Sequence, residues 1–492
     1  MADPITPPPR RPRRPASAAA GARPVPSQAL GRRTRQVLRP TGPPTDGIPV
    51  VWTGPDGVDS ELARAVIDLA MRAGAALLAT GAPASDVVAT VLRLTAAYGL
   101  RGVHVDVTFS AVTVSYNRGP RADPMTLLRT VRSRSQDFVR LDRLRALVID
   151  LGEDPIPVDE ARIRFDSVIE SPNPYRRWVT TLATGVLGAS AAALLGAGPL
   201  IVLVSLLTAT LVAVVQHQMA RLGIESFFAQ AVAAAVPTLI AVLVASLQSG
   251  FGVLEGILPS IVVASGIVVL LAGLSVVGAA QDAIEGFYVT AGARVFEVLV
   301  LTLGLVVGIT VVLALAHKLG LVLSVSEGTA VGYVPLVVQV VAAAVIAAAF
   351  AISTYAAGRS VVVAALAGGV GWGVYAAMGS FGAGKPTASA VAAFGIGVSA
   401  QLVARRLRIA AIAVTTSSIV ALLPGRTLYQ GLFQIVSDSA GPGLYQGIAT
   451  LLEAAGVGVG LAAGVSFGTY VARLVQDGRR GRLRRRAPGA RA

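Results

Sequence analysis

Residues 178–216 read WVTTLATGVLGASAAALLGAGPLIVLVSLLTATLVAVVQ, two apolar runs separated by a break at 196–199. A helix that spans a bilayer needs roughly 20 mainly apolar residues, and each run is about that long. Short breaks rich in Gly, Pro or Arg divide the chain up to residue 475 into about ten such stretches. The sequence therefore predicts a polytopic α-helical membrane protein. The predicted spans lie near residues 178–196, 199–216, 226–248, 257–279, 295–316, 334–356, 360–378, 387–404, 408–424 and 447–474.

The basic residues predict the orientation of these spans, because cytoplasmic loops carry an excess of Lys and Arg. When the loops are sorted alternately, one set holds only Lys318, Lys385 and Arg426. The other set holds Arg176, Arg177, Arg221, Arg294, Arg359, Arg405, Arg406, Arg408 and the arginines of 479–486. We therefore expect an even number of spans, with both termini in the cytoplasm.

The composition predicts five parts along the chain. They are a disordered basic Pro/Arg-rich arm at 1–45, a cytoplasmic α+β domain at 46–172, membrane halves of five spans each at 173–325 and 326–476, and a basic cytoplasmic tail at 477–492. The arm lacks the apolar core of a signal peptide. Much of the net charge of +15 lies in the arm and the tail, which favours contact with anionic lipid headgroups over nucleic-acid binding.

The predicted α+β domain has a helix up to about residue 80, a second from 85 or 86 to 98, strands at 103–109 and 112–116, and helices near 133–151 and 158–169. Strand alternation places His104, Asp106 and Thr108 on one face. Such a set could form an acid–base constellation of a hydrolase. The favoured interpretation is the solvent face of a small sheet whose valine face packs on helices.

No other motif supports catalysis. The chain has no cysteine, so thiolate catalysis and cysteine metal sites are excluded. Residues 379–385 resemble a phosphate-binding loop, but Pro386 replaces the required Ser or Thr and no strand precedes it. We therefore predict no enzyme activity, no catalytic residue, no metal and no cofactor.

Polar residues beside the apolar spans are the candidates for function, because ionisable groups there are costly. The densest group precedes or begins the fifth span and consists of Gln281, Asp282, Glu285, Thr290, Arg294 and Glu297. Asp282 and Glu285 would share a helix face, as would Arg294 and Glu297. The alternative is a cytoplasmic loop with a stabilising Arg–Glu pair.

A second polar group occupies the corresponding part of the second half and includes Arg426, Gln434, Tyr445 and Glu453. Because five spans is an odd number, two related halves would be inverted repeats, an architecture of secondary transporters with interrupted helices. Glycines four residues apart at 304/308 and at 456/460/464 predict closely packed helices. Such faces suit packing within one chain and also a homo-oligomer.

The chain resembles the bacterial threonine/serine exporters over roughly residues 60–475. The resemblance rests on stretches 68–82, 105–108, 159–161 and 172–175 in the N-terminal part. In the membrane part it rests on 258–260, Gly273, 281–286, 290–294 with Glu297, and 423–426. It implies ten spans, a cytoplasmic N-terminal domain, and efflux of threonine and serine coupled to the proton motive force.

A hydroxylated amino acid needs partners for three groups. Asp282, Glu285, Glu297 or Glu453 could bind its ammonium, and Arg294 its carboxylate. Gln281, Thr290, Gln434 or Tyr445 could bind its hydroxyl. Glu297 and Glu453 are the candidate proton carriers, because desolvation raises the pKa of a carboxylate. Two alternatives remain, a membrane-anchored hydrolase and a sensor or gate formed by the N-terminal domain.

Overall fold

The computed structural model describes residues 59–118, 123–131, 136–251, 259–270, 273–319, 334–407, 409–437 and 442–486. Every described residue belongs to one compact unit, within 50–492. The predicted arm at 1–45 lies outside the described residues, as does the end of the predicted tail.

Residues 59–170, here called the N-terminal segment, contain four helices and one sheet. The elements are α1 (Ser60–Ala79), α2 (Ala84–Ala97), β1 (Val103–Thr108), β2 (Ala111–Tyr116), β3 (Met125–Thr130), α3 (Phe138–Glu153) and α4 (Val158–Glu170). The strands are antiparallel in the order β1-β2-β3. Strand β3 was not predicted, because its residues alternate only between half-buried and exposed and give a weak pattern.

The sheet has one buried and one open face. Val105, Val107, Val112 and Val114 are buried on one face. His104 and Asp106 are exposed on the other, opposite Ser115 and Thr113 of β2. This is the arrangement expected of a sheet with one face in solvent.

Residues 177–486 form a helical bundle. Its helices are α5 (Arg177–Leu194), α6 (Pro199–Arg221), α7 (Ser226–Phe251), α8 (Pro259–Val268), α9 (Gly273–Ile284), α10 (Tyr288–Lys318), α11 (Leu336–Ser353), α12 (Gly358–Ser380), α13 (Lys385–Leu407), α14 (Ala411–Ile419), α15 (Gly425–Ser437) and α16 (Pro442–Arg486). Within the described residues, seven helices are long and apolar enough to cross a membrane: α6, α7, α10, α11, α12, α13 and α16. The chain is therefore a polytopic helical membrane protein.

One predicted continuous span is interrupted in the structure, and a second is followed by a break. The stretch predicted as one span at 257–279 is two helices, α8 and α9. The stretch at 408–424 contains α14 and, continuing it, the 3-10 turn Val420–Leu422; the break comes at 423–424, before α15. Leu423 is extended before Pro424, as expected because proline disfavours helical backbone in the residue before it. Hydropathy alone could not reveal the interruption at 257–279, because both α8 and α9 are apolar.

Glycine faces bring two helix pairs into close contact, as the sequence spacing predicts. A Cβ on Gly304 would lie 2.6 Å from the Phe227 carbonyl oxygen, and one on Gly308 would collide with that of Ala231. These contacts join α10 to α7. In the second half, Gly460 and Gly464 of α16 approach the carbonyl oxygens of Pro386 and Ala390 of α13 in the same way.

The N-terminal segment shares a hydrophobic core with the helix bundle. The buried cluster that contains Leu69 and Leu144 also contains Ala351 of α11, Ala364 of α12 and Ala413 of α14. The segment therefore packs directly on the ends of several membrane helices.

Candidate functional site

Helices α9 and α10 form a tight hairpin that carries the densest group of predicted site residues. Gly286, in the turn between them, has a φ of +90°, a conformation that glycine adopts without steric cost. The N–H of Phe287 donates to the carbonyl oxygen of Asp282 at 2.8 Å and closes the turn. The chain thus reverses, and the second turn of α10 returns alongside the end of α9.

This reversal creates a buried ion pair between the two helices. Arg294 Nε lies 2.9 Å from Asp282 Oδ2, and the side chains are 14% and 1% exposed. A Cβ at position 278 would lie 2.5 Å from Nη1 of Arg294, so Gly278 leaves room for the guanidinium. Arg294 therefore pairs with Asp282 of the preceding helix, whereas the sequence spacing had suggested Glu297. Removing one partner of such a pair would leave an uncompensated buried charge.

The first turn of α2 in the N-terminal segment supplies donors to the same place. Ser85 Oγ donates to Glu285 Oε2 at 2.6 Å, and the Ala84 N–H lies 3.5 Å from Asp282 Oδ1. Gln281 Nε2 donates to the other oxygen of Glu285 at 3.2 Å. Two acidic side chains of the bundle thus face the N-terminus of a helix, which favours negative charge.

Glu285 has the environment of a titrating group. Burial raises the pKa of its carboxyl group, and the negative charges of Asp86 and Asp282 raise it further. The hydrogen bonds from Ser85 and Gln281 lower it and only partly offset the effect of burial. Glu285 therefore binds a proton more readily in this site than it would in water.

Thr290 also contacts the N-terminal segment. Its side chain is fully buried, and Oγ1 donates to the carbonyl oxygen of Val107 in β1 at 3.0 Å. The hydroxyl that the sequence suggested for substrate recognition thus binds protein backbone in this structure.

Two further contacts attach the N-terminal segment to the bundle. The Phe138 N–H donates to the carbonyl oxygen of Thr354, after α11, at 3.0 Å. Asp142 of α3 accepts a hydrogen bond from the backbone of Ala410, directly before α14. Burial raises the pKa of Asp142 to about 6, although that hydrogen bond and the charge of Arg145 act in the opposite direction.

The remaining predicted site residues lie apart from this cluster. Glu297 is half-buried on α10, one turn beyond Arg294. Glu453 of α16 pairs with Lys385 Nζ at 3.1 Å, and both side chains are largely open. Gln434 Oε1 accepts from Thr450 Oγ1 at 3.0 Å, and Tyr445 is 77% exposed.

Comparison with known proteins supplies the family. A family model described as "Putative threonine/serine exporter" matches residues 68–316, and one described as "Threonine/Serine exporter, ThrE" matches residues 339–471. A probable threonine/serine exporter of Mycobacterium tuberculosis is 34% identical over 429 residues, 86% of this chain and 79% of that protein. The chain belongs to the threonine/serine exporter family. A threonine/serine exporter of Corynebacterium glutamicum is also 34% identical, over 86% of this chain and 85% of its own.

Membership of the exporter family confirms the resemblance seen in the sequence. The family consists of transporters and not of enzymes. The interpretation of His104 and Asp106 as hydrolase residues therefore has no further support. No solved structure matches the chain.

Sequence reasoning about this exporter family member missed three residues of the cluster: Ala84, Ser85 and Asp142. Ser85 had a signal only as a possible helix cap, and Asp142 stands in a helix that reads as charged and solvated. Their partners lie roughly 200 residues away or more in the chain, beyond the reach of any local pattern.

Proposed function

We propose that this protein exports threonine and serine across the bacterial plasma membrane, coupled to the proton motive force. The observation that carries the proposal is the buried Asp282–Arg294 ion pair beside Glu285, in a member of the threonine/serine exporter family. Fixed opposite charges suit a zwitterionic amino acid, and a carboxyl group with a raised pKa suits proton exchange.

We propose ten spans for the bundle, arranged as two inverted halves of five. Helix α5, the seven long apolar helices and the interrupted pairs α8–α9 and α14–α15 together give this number. The interruptions carry a repeated sequence, S-x-I-V-x-L-L-x-G, at 265–273 and 417–425. The glycine contacts of α10 on α7 and of α16 on α13 repeat as well. Five helices per half would place the second half upside down relative to the first.

The proposed orientation places both termini and the N-terminal segment in the cytoplasm, as the distribution of arginine favours. The end of α9, the start of α10 and the ends of α11 and α14 nearest the segment then lie at the cytoplasmic side. The basic termini would contact anionic lipid headgroups there.

Within this frame we assign roles to the candidate side chains. Asp282 or Glu285 binds the substrate ammonium, and Arg294 binds its carboxylate. Gln281, Thr290, Gln434 and Tyr445 are the candidates for the hydroxyl, and Thr290 would first have to leave Val107. Glu297 and Glu453 remain candidate proton carriers. The raised pKa of Glu285 adds that residue to the proton carriers.

The test is efflux from cells preloaded with a dipeptide that contains threonine and serine, with and without this protein. We expect protein-dependent efflux of both amino acids that collapses when an uncoupler is added. Absence of protein-dependent efflux, with the protein shown to be inserted, would contradict the proposed substrate. Efflux that persists with the uncoupler would contradict the proposed coupling.

A further inference from the structure

The contact between α2 and the two carboxylates of the bundle has the chemistry of a bound hydroxylated amino acid. Ser85 presents a hydroxyl group to Glu285 at 2.6 Å. The N-terminus of α2 presents its positive dipole end, and with it the Ala84 N–H, to Asp282. Free serine would present a hydroxyl group and, in place of the helix dipole, an ammonium group.

The N-terminus of α2 lacks a side-chain cap from its own N-cap residue. Its N-cap residue is Pro83, which makes no side-chain cap hydrogen bond. Helices usually satisfy these groups with a Ser, Thr, Asp or Asn at that position. Here the bundle supplies an acceptor, Asp282 Oδ1, to the Ala84 N–H, so α2 and the carboxylates complement each other.

We propose that Ser85 and the first turn of α2 occupy the Asp282–Glu285 site as a tethered mimic of the substrate, so that the N-terminal segment is an inhibitory lid displaced by cytoplasmic serine or threonine. The inference rests on the proposed function and adds a mode of regulation to the same site. Substrate and lid compete for the same two carboxylates.

The charges around the site allow this competition. Arg294 compensates Asp282 on the bundle side, and Arg145 pairs with Asp86 on the segment side. Glu285 has hydrogen-bond donors but no cation partner among the described ion pairs. A bound substrate would place its ammonium group, a cation, beside these carboxylates. The lid offers only a hydroxyl group and the positive end of a helix dipole.

The way in which the segment is attached is compatible with release. Besides α2, its polar contacts with the bundle include Thr290 with Val107, Phe138 with Thr354, and Asp142 with Ala410. The link from α4 to α5 at 171–176 contains two prolines and no helix. Displacement of α2 would require the segment to tilt about this link, and would cost part of the hydrophobic core that it shares with α11, α12 and α14.

The first test compares Ser85→Ala with Glu285→Gln in the efflux assay over a range of internal serine concentrations. Loss of one hydrogen bond to a charged group should weaken the lid and lower the half-saturating serine concentration by about tenfold. Glu285→Gln should raise that concentration, because the amide can still accept the hydrogen bond from Ser85 but loses the charge that binds the substrate ammonium. Ser167→Ala is the matched control, since its hydroxyl bonds only within α4 at an exposed position; we expect no change.

The outcomes separate this inference from the proposed function. No efflux by the unaltered protein would overturn both. Efflux by the unaltered protein with an unchanged or raised half-saturating concentration in Ser85→Ala would overturn the lid alone.

A second measurement does not depend on transport. The chain has no cysteine, so Ala84→Cys introduces a single thiol at a fully buried position in the first turn of α2, beside Asp282. In purified protein in lipid nanodiscs, L-serine should accelerate maleimide labelling of this thiol several-fold, and L-leucine should not. Ala70→Cys, buried in the core of the segment itself, is the control that should not respond. Equal labelling at position 84 with and without serine would overturn the inference.

Discussion

The α9–α10 hairpin and the α15–α16 hairpin place different chemistry at matching positions. Asp282 stands nine residues after Gly273, and Gln434 stands nine after Gly425. Arg294 stands ten residues before Gly304, and Thr450 stands ten before Gly460. In the first hairpin the two residues form a buried ion pair; in the second they form a neutral hydrogen bond of 3.0 Å.

The difference shows that the same arrangement of helices can carry charged residues in one half and neutral residues in the other. Glycine contacts and helix interruptions recur in both halves, whereas the hydrogen bonds identified between the N-terminal segment and a hairpin, among the described residues, involve the charged one. Glu297 and Glu453 also stand at matching positions, three residues after Arg294 and Thr450. Under the proposed inverted architecture, the two hairpins would lie on opposite sides of the membrane, and the charged one would be cytoplasmic.

The largest expected effect comes from breaking the charged pair. Asp282→Ala leaves Arg294 buried without its partner and should cost about 3–5 kcal/mol of stability and abolish efflux. Thr450→Ala, at the matching position opposite Gln434, should cost only about 1 kcal/mol. Thermal unfolding in detergent together with the efflux assay checks both. Equal losses would contradict the difference between the hairpins, and the double variant Asp282→Ala/Arg294→Ala should recover part of the stability.

The contact between Asp142 of the N-terminal segment and the backbone before α14 should make the stability of the protein depend on pH. The pKa of Asp142 is raised to about 6 from 3.8, so the folded protein binds a proton that the unfolded chain has released. Stability should therefore be highest below about pH 4 and fall as the pH rises to about 6, by on the order of 3 kcal/mol. Arg145 on its own helix and the Ala410 N–H before α14 moderate the shift.

Asp142→Asn should remove this dependence, because the amide keeps an acceptor for Ala410 and does not ionise. The measurement is the unfolding temperature of both proteins at several pH values between 4 and 7.5. A wild-type profile with the same slope as the variant would show that Asp142 does not titrate as expected.

The stability lost by disturbing helix packing, unlike that lost by removing a charge, should be equal in the two halves. Gly308→Ala would push a Cβ into the Ala231 carbonyl, and Gly464→Ala would do the same to Ala390. Each should cost about 1–3 kcal/mol, measured as a drop in unfolding temperature. Gly395→Ala is the control, because nothing lies within 4 Å of the added Cβ. A large cost for only one of the two packed glycines would argue against the repeat.

The smallest effect should come from Lys385→Ala. Its partner Glu453 and the lysine itself are 39% and 53% exposed, and open ion pairs contribute less than about 1 kcal/mol. We expect an unchanged unfolding temperature. A loss comparable to that of Asp282→Ala would mean that the second half also depends on a charge pair.

Much of the fold follows from local pattern, and the exceptions have identifiable causes. The polytopic character and the exporter family are confirmed, because apolar length and family motifs are properties of short stretches. The span at 257–279 was wrong as one continuous helix, since both helices on either side of the break are apolar. Among the predicted site residues, Gln281, Asp282, Glu285 and Arg294 come together, and the roles proposed for them remain to be tested.

The sequence by itself determined that this chain lies in a membrane and which polar residues interrupt its apolar stretches, because hydrophobicity acts over a single helix. Only the tertiary structure decided which of those residues are buried together. Gly286 turns α10 back onto α9 and pairs Arg294 with Asp282. Docking of α2 then brings Ser85 to Glu285 across 200 residues of chain. Burial and charge pairing depend on such distant contacts, and no local spacing encodes them.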